Sequence, residues 1–439
     1  MKKPTLRKGL ILIAVILMLI PSVLFASCSE AELPRSVTGA HISEDGELII
    51  SYSDGTQDNL GLVVGKDGAD GAPGADGKDG EDGKDGKDGA SSDDNVVSAV
   101  TKATRSVVSI VCKDSPDSEE YTSAGAGVIY SLDKSEGDAF IVTNYHVVYD
   151  SDSRSKISEY IGIFLYGSEY TDFRIDATYV GGSLNYDIAV LRIEDSEFLK
   201  NSSAEAVEVR NSNEIVVGDS VVVVGNPLGH GVASSSGILS VDSENMKMTG
   251  ADEKTEIEFR AMRVDAAINP GNSGGGLFDT DGKLIGIVNA KMMGSSVDNI
   301  GYAIPSTVAT AVANNIIHYC FGSDEYKTFQ RPLIGVRVII DESHAVYDEE
   351  NDTVRIVEKN VVYEDVSYGA LAYGLLEKGD VLLRASLNDG EWIELTRQHH
   401  MIDLLLSAFV GDIFHVTVLR DGVEHTFDMQ ITSGCIKSY

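Results

Sequence analysis

The sequence predicts a mainly β protein whose central region forms a pair of β-barrels. Helical patterns at residues 96–104 and 305–318 flank that region, and a chain of 439 residues has room for two or three domains. Many short strands at regular spacing are typical of closed barrels. Such apolar runs, separated by turn residues, recur at residues 106–112, 126–130, 161–166, 188–193 and 220–224.

Composition limits the possible partners. The formal net charge of −34 argues against nucleic acid, because phosphate binding needs clustered Lys and Arg. Four cysteines are too few for a disulfide scaffold. Cys112, Cys320 and Cys435 show no metal-ligand spacing, so we predict neither a metal nor a cofactor.

The N-terminal segment, residues 1–28, has the three-part layout of an export signal or membrane anchor. Four basic residues among the first eight precede an apolar run over residues 9–20. The sequence Leu24-Phe-Ala-Ser-Cys28 is similar to a bacterial lipobox, so Cys28 is the candidate lipidation site. An uncleaved anchor helix and simple secretion are the alternatives, since residues 9–26 are only marginally long enough to span a bilayer. All three alternatives place the body of the protein outside the cytoplasm.

Two small segments follow. Residues 29–64 alternate apolar and polar positions around Asp45-Gly46 and Asp54-Gly55, which predicts a small β-hairpin or meander. Residues 65–90 carry glycine at every third position, the requirement of a collagen triple helix. With only Pro73 among them, an extended charged linker is the alternative to a trimeric stalk.

Two polar residues stand at the ends of apolar strands in the barrel region. Residues 140–148 run into His146, and a strand at residues 188–193 opens directly after Asp187. A carboxylate beside so apolar a run is costly to bury unless a polar or charged group receives it. A lone histidine or aspartate in such a place is usually structural.

The third element is the stretch Asp265-Ala-Ala-Ile-Asn-Pro-Gly-Asn-Ser-Gly-Gly-Gly-Leu277. A serine needs a base to become a nucleophile, and attack on a carbonyl needs N–H donors for the oxyanion. Glycines allow the turn Gly271–Asn272–Ser273 to converge its amides, chiefly those of Gly271 and Ser273, on one point. The order His146, Asp187, Ser273 matches a known serine-protease triad order. A simple Gly-Ser turn is the alternative for Ser273 alone.

The same stretch also fits the nucleophile elbow of α/β-hydrolases. That elbow requires a helix directly after the serine. Here Asp279-Thr-Asp-Gly282 is a turn signal, and an apolar strand follows at residues 283–288. We therefore favour a hairpin after Ser273 and reject the elbow.

The chain resembles the HtrA/Deg serine endoproteases over most of residues 95–320. The segments that carry the resemblance are Thr143-Asn-Tyr-His-Val-Val148, Asn185-Tyr-Asp-Ile-Ala-Val190, Gly225-Asn-Pro-Leu-Gly229, residues 265–275 and Gly301-Tyr-Ala-Ile-Pro-Ser306. One departure is Gly276, where the family usually has proline.

The resemblance implies a chymotrypsin-like double barrel over residues 91–325 and an assembly of three chains. It also implies a primary specificity pocket formed by Ile268, Ala290, Met292 and Met293. These side chains are apolar, so we expect cleavage after small or medium aliphatic residues.

Residues 321–330 are predicted to be a polar linker, and residues 330–435 resemble a PDZ domain. The carboxylate-binding loop is expected at Leu333, Ile334, Gly335 and Val336, and the groove helix at residues 396–409. Such a domain binds a C-terminal peptide as an added strand. An acidic insertion at residues 341–352 departs from the family pattern.

Together these features predict an extracytoplasmic, membrane-tethered serine endopeptidase that degrades unfolded or damaged proteins and is regulated by C-terminal peptides. The alternatives are a surface-displayed chaperone or adhesin with a resting or inactive protease fold, and a protease that clips one partner.

Overall fold

The computed structural model describes residues 36–63, 92–115, 118, 120–168, 174–226, 231–290, 300–323, 327–349 and 351–438. They belong to two separate units, which divide between Gly86 and Lys87. The predictions for the export segment with Cys28, the Gly-x-y segment, Met292 and Met293 lie outside the described residues. No helix within the described ranges is long and apolar enough to cross a bilayer.

The first unit contains a three-stranded antiparallel sheet. Its strands are β1 Val37–Ile42, β2 Glu47–Tyr52 and β3 Gln57–Leu62, paired in that order. Gly46 and Gly55 have φ of 79° and 81° in the two connecting turns, a backbone conformation that favours glycine. None of its described residues is buried, so the sheet has little core of its own.

The second unit begins with helix α1, Ser92–Thr104, and a six-stranded antiparallel barrel. Its strands are β4 Val107–Lys113, β5 Ser123–Asp133, β6 Asp138–Thr143, β7 Tyr160–Leu165, β8 Ile175–Ser183 and β9 Ile188–Ile193. They close in the order β4-β5-β6-β9-β8-β7. Two short helices follow β6 and β9, α2 Tyr145–Val148 and α3 Glu197–Asn201.

A second barrel has the same number of strands, and the two-barrel prediction is confirmed. After a 3-10 turn at Ser212–Glu214, its strands are β10 Ser220–Gly225, β11 Ala233–Thr249, β12 Glu256–Val264, β13 Gly276–Phe278, β14 Leu284–Val288 and β15 Gly301–Pro305. They close in the order β10-β11-β12-β15-β14-β13. Helix α4, Ser306–Cys320, ends this region.

The unbroken apolar sequence of β10 has a structural reason. Val221 and Val223 point into the second barrel's interior, whereas Val222 and Val224 belong to a cluster that also includes residues of the first barrel and α4. Both faces of the strand are therefore covered, so alternation of apolar and polar residues is lost. This shared core fixes the two barrels against each other.

Residues 327–330 correct the prediction of a polar linker. The Gly182 N–H donates to the Lys327 carbonyl, and the Phe329 N–H donates to the Gly182 carbonyl, both at 3.1 Å. Phe329 is fully buried, with its ring edge-on to Tyr186 at a centroid distance of 5.5 Å. The two backbone hydrogen bonds and the buried ring of Phe329 together bind the segment to the first barrel.

The C-terminal domain is a β-sheet with one helix, an arrangement consistent with a PDZ domain. Its elements are β16 Gln330–Pro332, β17 Val338–Asp348, β18 Thr353–Val362, β19 Val381–Leu387, β20 Ile393–Glu394, α5 Gln398–Leu406, β21 Ile413–Arg420, β22 Val423–Gln430, a 3-10 turn Ser433–Cys435 and β23 Ile436–Ser438. The main sheet has the order β17-β18-β19-β21-β22, so β17 is an edge strand. The acidic insertion lengthens β17 and β18 into a two-stranded ribbon.

Helix α5 is attached to the protease barrels by charged side chains. Asp403 pairs with Arg260 of β12 and accepts a hydrogen bond from Thr307 Oγ1 at 2.8 Å. Arg397, just before the helix, pairs with Asp242 of β11. These contacts orient the C-terminal domain on the second barrel.

Candidate active site

His146 and Asp187 are joined by two contacts. His146 lies on α2, directly after β6, and Asp187 lies in the turn between β8 and β9. The Asp187 Oδ2 atom is 2.6 Å from His146 Nδ1, and Oδ1 accepts a hydrogen bond from the His146 backbone N–H at 2.9 Å. Both carboxylate oxygens therefore hold one residue, which fixes the ring and leaves Nε2 as the available nitrogen.

Asp187 is buried and held by two asparagines that the sequence analysis did not single out. Its exposed fraction is 2%, and its φ is 50°. Asn289 Nδ2 donates to Asp187 Oδ2 at 2.8 Å, and Asn144 Nδ2 donates to the Asp187 carbonyl at 2.9 Å. The Asn289 donor and the two contacts with His146 compensate for the loss of water around the buried carboxylate, and Asn144 holds the backbone of Asp187. The only signal in the sequence was that each asparagine directly follows an apolar strand.

Ser273 lies on the second barrel and faces the first. Its carbonyl accepts a hydrogen bond from the Ala126 N–H at 2.8 Å, and its Oγ accepts one from the Ala290 N–H at 3.2 Å. Ala290 follows Asn289, so neighbouring residues hold Ser273 and Asp187. No hydrogen bond between the described side chains joins Ser273 Oγ to His146, because the hydroxyl is directed towards Ala290.

The amides of the predicted oxyanion turn differ in availability. Gly271 has φ of 97°, and within the described structure neither its N–H nor that of Ser273 donates to a protein acceptor. The Asn272 N–H, in contrast, donates to the Asn269 carbonyl at 3.0 Å. Two of the three predicted amides are therefore free to bind an anionic oxygen, and the inclusion of Asn272 is corrected.

Glycine is required directly after Ser273. Gly274 has φ of 83°, and a Cβ there would overlap the Ala126 carbonyl oxygen and Thr143 Oγ1. Thr143 Oγ1 is itself bonded to that carbonyl at 2.7 Å. The absence of a side chain lets the serine turn lie directly against the first barrel.

The departure at Gly276 also has a structural explanation. A Cβ at this position would overlap the ring of Phe278, two residues further along β13. Phe278 is fully buried and cannot move aside freely. Glycine at 276 is therefore paired with a large aromatic residue at 278.

The described residues of the predicted specificity pocket, Ile268 and Ala290, belong to one apolar cluster. Ile268 is 3% exposed, and a Cβ at Gly301 would lie 2.9 Å from Ile268 Cγ1. The isoleucine thus occupies the space beside Gly301, and Ala290 packs against the same apolar cluster. Met292 and Met293 belong to a range that the structure does not describe.

The predicted carboxylate-binding residues line one groove. Leu333, Ile334, Gly335 and Val336 lie on one side of a cavity of about 210 Å³, opposite Met401 and Leu405 of α5. Gly335 has φ of 82°, which favours glycine in the loop. Gln398, the first residue of α5, also lines the groove and donates through Nε2 to the Val338 carbonyl at 2.9 Å.

Comparisons with known proteins agree with this architecture. The trypsin-like peptidase domain family matches residues 125–287. Serine protease Do-like HtrA of Lactococcus lactis subsp. lactis (strain IL1403) is 31% identical over 331 residues, which cover 72% of each chain. The protein of the same name from Lactobacillus helveticus is 31% identical over 322 residues, covering 71% of this chain and 68% of that protein.

A solved structure described as HtrA-type protease AlgW with tripeptide is 27% identical, with a TM-score of 0.46. The match covers 78% of this chain and 98% of the chain in that structure. The double barrel and the family match define a trypsin-like serine endopeptidase. The extent of identity with the Lactococcus and Lactobacillus proteins shows that the chain belongs to the HtrA family of serine proteases.

Proposed function

We propose that His146, Asp187 and Ser273 form the catalytic triad of this endopeptidase. The main support is that Asn289 and Ala290, two consecutive residues, bind Asp187 Oδ2 and Ser273 Oγ, while the same carboxylate binds His146. These contacts support a triad in which the three groups lie at one junction between the barrels.

In this mechanism Ser273 Oγ turns from the Ala290 N–H to His146 Nε2. Such hydrogen bonds often form only when substrate binds. His146 takes the hydroxyl proton as Oγ attacks the peptide carbonyl, and Asp187 stabilises the resulting imidazolium. The amides of Gly271 and Ser273 bind the oxyanion. His146 then gives the proton to the leaving amine, and water repeats the sequence on the acyl-enzyme.

The proposed substrates are unfolded or damaged proteins, cleaved after small or medium aliphatic residues. Ile268 is apolar, buried and close to Gly301, which supports a short aliphatic side chain before the scissile bond. Such residues are buried in folded proteins and become accessible when a protein unfolds.

We also propose that the C-terminal domain binds the C-terminal peptides of these substrates and thereby regulates the protease. The edge of β17 offers backbone groups for an added strand, and the Leu333–Gly335 loop offers the amides of Ile334 and Gly335 for the carboxylate. The Leu333 N–H already donates to the Cys435 carbonyl at 2.8 Å, so the prediction that it binds the carboxylate is corrected.

Export and anchoring outside the cytoplasm are proposed from the sequence around Cys28, and trimerisation from the family resemblance. Labelling of cells with radioactive palmitate, compared between the natural protein and Cys28→Ala, tests the lipid anchor. Incorporation that persists in the variant would contradict the lipid anchor.

The mass of the exported protein by light scattering tests the trimer, and a monomer would refute it.

One observation favours the second candidate, a displayed peptide-binding chaperone or adhesin with a resting protease. The Ser273 hydroxyl is bonded to the Ala290 N–H rather than to His146. In a resting state of this kind, the Ser273 hydroxyl would have no base bonded to it and would be a weak nucleophile.

A fluorophosphonate probe distinguishes the two candidates. We expect it to label the folded protein on Ser273, as mapped by peptide mass spectrometry, and not to label the urea-unfolded chain. A folded protein that resists the probe at all times, with and without added casein, would support the binding protein instead.

A further inference from the structure

A second cavity lies between the second barrel and the C-terminal domain. Its volume is about 410 Å³. The barrel contributes residues of β11 and β12, and the C-terminal domain contributes Ile340 of β17 and residues of α5. The barrel residues include Glu244 of β11 and Arg260 of β12.

This cavity continues the peptide groove. The groove and the cavity share four lining residues, Arg331, Gln398, Ile402 and Leu406. A strand added to β17 with its carboxylate at the Leu333–Gly335 loop would run past Val338 towards Ile340. Strand residues pair one to one, so the position opposite Ile340 is about four residues before the C terminus. A longer peptide therefore passes from the groove into the cavity.

Two residues that line this cavity, Glu244 and Arg260, each have a buried polar atom without a hydrogen-bond partner among the described residues. The Arg260 side chain is 9% exposed, and its Nε–H has no acceptor, although the other guanidinium nitrogens reach Asp403 and Asn213. Glu244 Oε2 has no donor, although Oε1 is 3.1 Å from Arg263 Nη1. A buried polar group without a hydrogen-bond partner destabilises the folded state. A ligand that carries both an N–H and a carbonyl would satisfy both.

We propose that the cavity is the upstream half of the peptide site. The segment about four to six residues before the C terminus of a bound polypeptide enters it, donating to Glu244 Oε2 and accepting from Arg260 Nε. A peptide backbone or an Asn or Gln side chain has both groups. The inference rests on the proposed capture of C-terminal peptides by the groove, and it adds the protease barrel to the binding surface.

Gln398 lies at the boundary of the two sites. Its side chain occupies the Val338 carbonyl, which an added strand would need. A bound peptide has to displace this single hydrogen bond before it reaches Ile340. The peptide backbone N–H that replaces it restores the bond, so the net cost is small.

The test measures peptide affinity by fluorescence anisotropy with the full chain carrying Ser273→Ala, which prevents cleavage. The first probe is the tightest binder from a fluorescein-labelled tetrapeptide library with a free carboxylate and a C-terminal Val, Ile, Leu or Phe. The second is the same tetrapeptide preceded by Gly-Asn-Asn-Gly. We expect the octapeptide to bind about tenfold more tightly.

Two variants should remove this gain. Arg260→Lys keeps a positive charge for Asp403 but loses the Nε–H donor. Ile340→Trp fills the passage, and because Ile340 is 42% exposed the change is compatible with folding. Val346→Trp is the matched control, since Val346 lies on the same strand, is 40% exposed and does not line the cavity. We expect it to retain the tenfold gain.

The outcomes separate the two proposals. Equal affinity for the tetrapeptide and the octapeptide in the parent chain, or a full gain in Ile340→Trp, overturns the cavity and leaves the groove intact. If the tetrapeptide library contains no binder, capture by the groove is itself wrong, and the cavity assignment falls with it. Thermal unfolding of each variant establishes that it is folded.

Discussion

Replacing Ser273 with alanine is expected to lower kcat/KM for casein by about 10⁴- to 10⁶-fold. The substitution removes one oxygen atom, and among the described residues the only hydrogen bond that it breaks is the one from the Ala290 N–H. The fold should therefore survive, while the nucleophile is lost. The free amides of Gly271 and Ser273 and the binding pocket would account for the residual rate.

Ser109→Ala is a suitable control for this experiment. Ser109 is 1% exposed in β4, and its Oγ has no partner among the described groups, so the same chemical change is made in an equally buried place. Its activity should match that of the natural protein, and its stability should be unchanged or slightly higher. Casein cleavage by Ser273→Ala within tenfold of the natural rate would disprove the nucleophile assignment.

The double barrel could be predicted from the sequence because its strands are short and regularly spaced. Even so, the helix boundaries in the structure differ by a few residues from those that the sequence predicted. The predicted groove helix at residues 396–409 is Gln398–Leu406, and the helix predicted at residues 305–318 is Ser306–Cys320. Helix ends depend on capping and packing, which periodicity alone does not report.

The residues of the candidate site were visible because each interrupts a simple local pattern. His146 and Asp187 lie at the ends of apolar strands, and Ser273 lies in a glycine-rich turn. Asn289 has the same local signature as Asp187, yet its importance lies in a contact with a residue 102 positions away. Local patterns cannot identify such a partner.

The attachment of the C-terminal domain was not predictable for the same reason. Arg260 is one of several charged residues in β12, where solvent exposure is the ordinary expectation for a charge. Its 9% exposure follows from the docking of α5, which places Asp403 against it. A buried pair of this kind needs both partners, since either charge alone would be strongly unfavourable.

Asp187→Asn is expected to lower kcat by about 10⁴-fold, which corresponds to about 5.5 kcal/mol in the activation barrier, with little change in KM. Three donors face the carboxylate, namely the His146 N–H, His146 Nδ1 and Asn289 Nδ2. An amide has only one oxygen, so at least one donor would meet its NH₂ group. If the NH₂ faces Nδ1, the ring proton moves to Nε2, and His146 can no longer accept the Ser273 proton.

Asp279→Asn controls for the loss of a buried charge. Asp279 is 5% exposed, accepts backbone hydrogen bonds from Asp281 and Lys283, and lies 3.3 Å from Arg210 Nη1, but it has no contact with the triad. Its substitution should lower the melting temperature and leave kcat within about twofold. Steady-state kinetics on a fluorogenic peptide measures both variants.

If Asp187→Asn kept kcat within tenfold of the natural value while remaining folded, Asp187 would be a structural residue and the base would need another orienting group. The double contact with His146 leads us to expect the opposite, because no other described carboxylate reaches that ring.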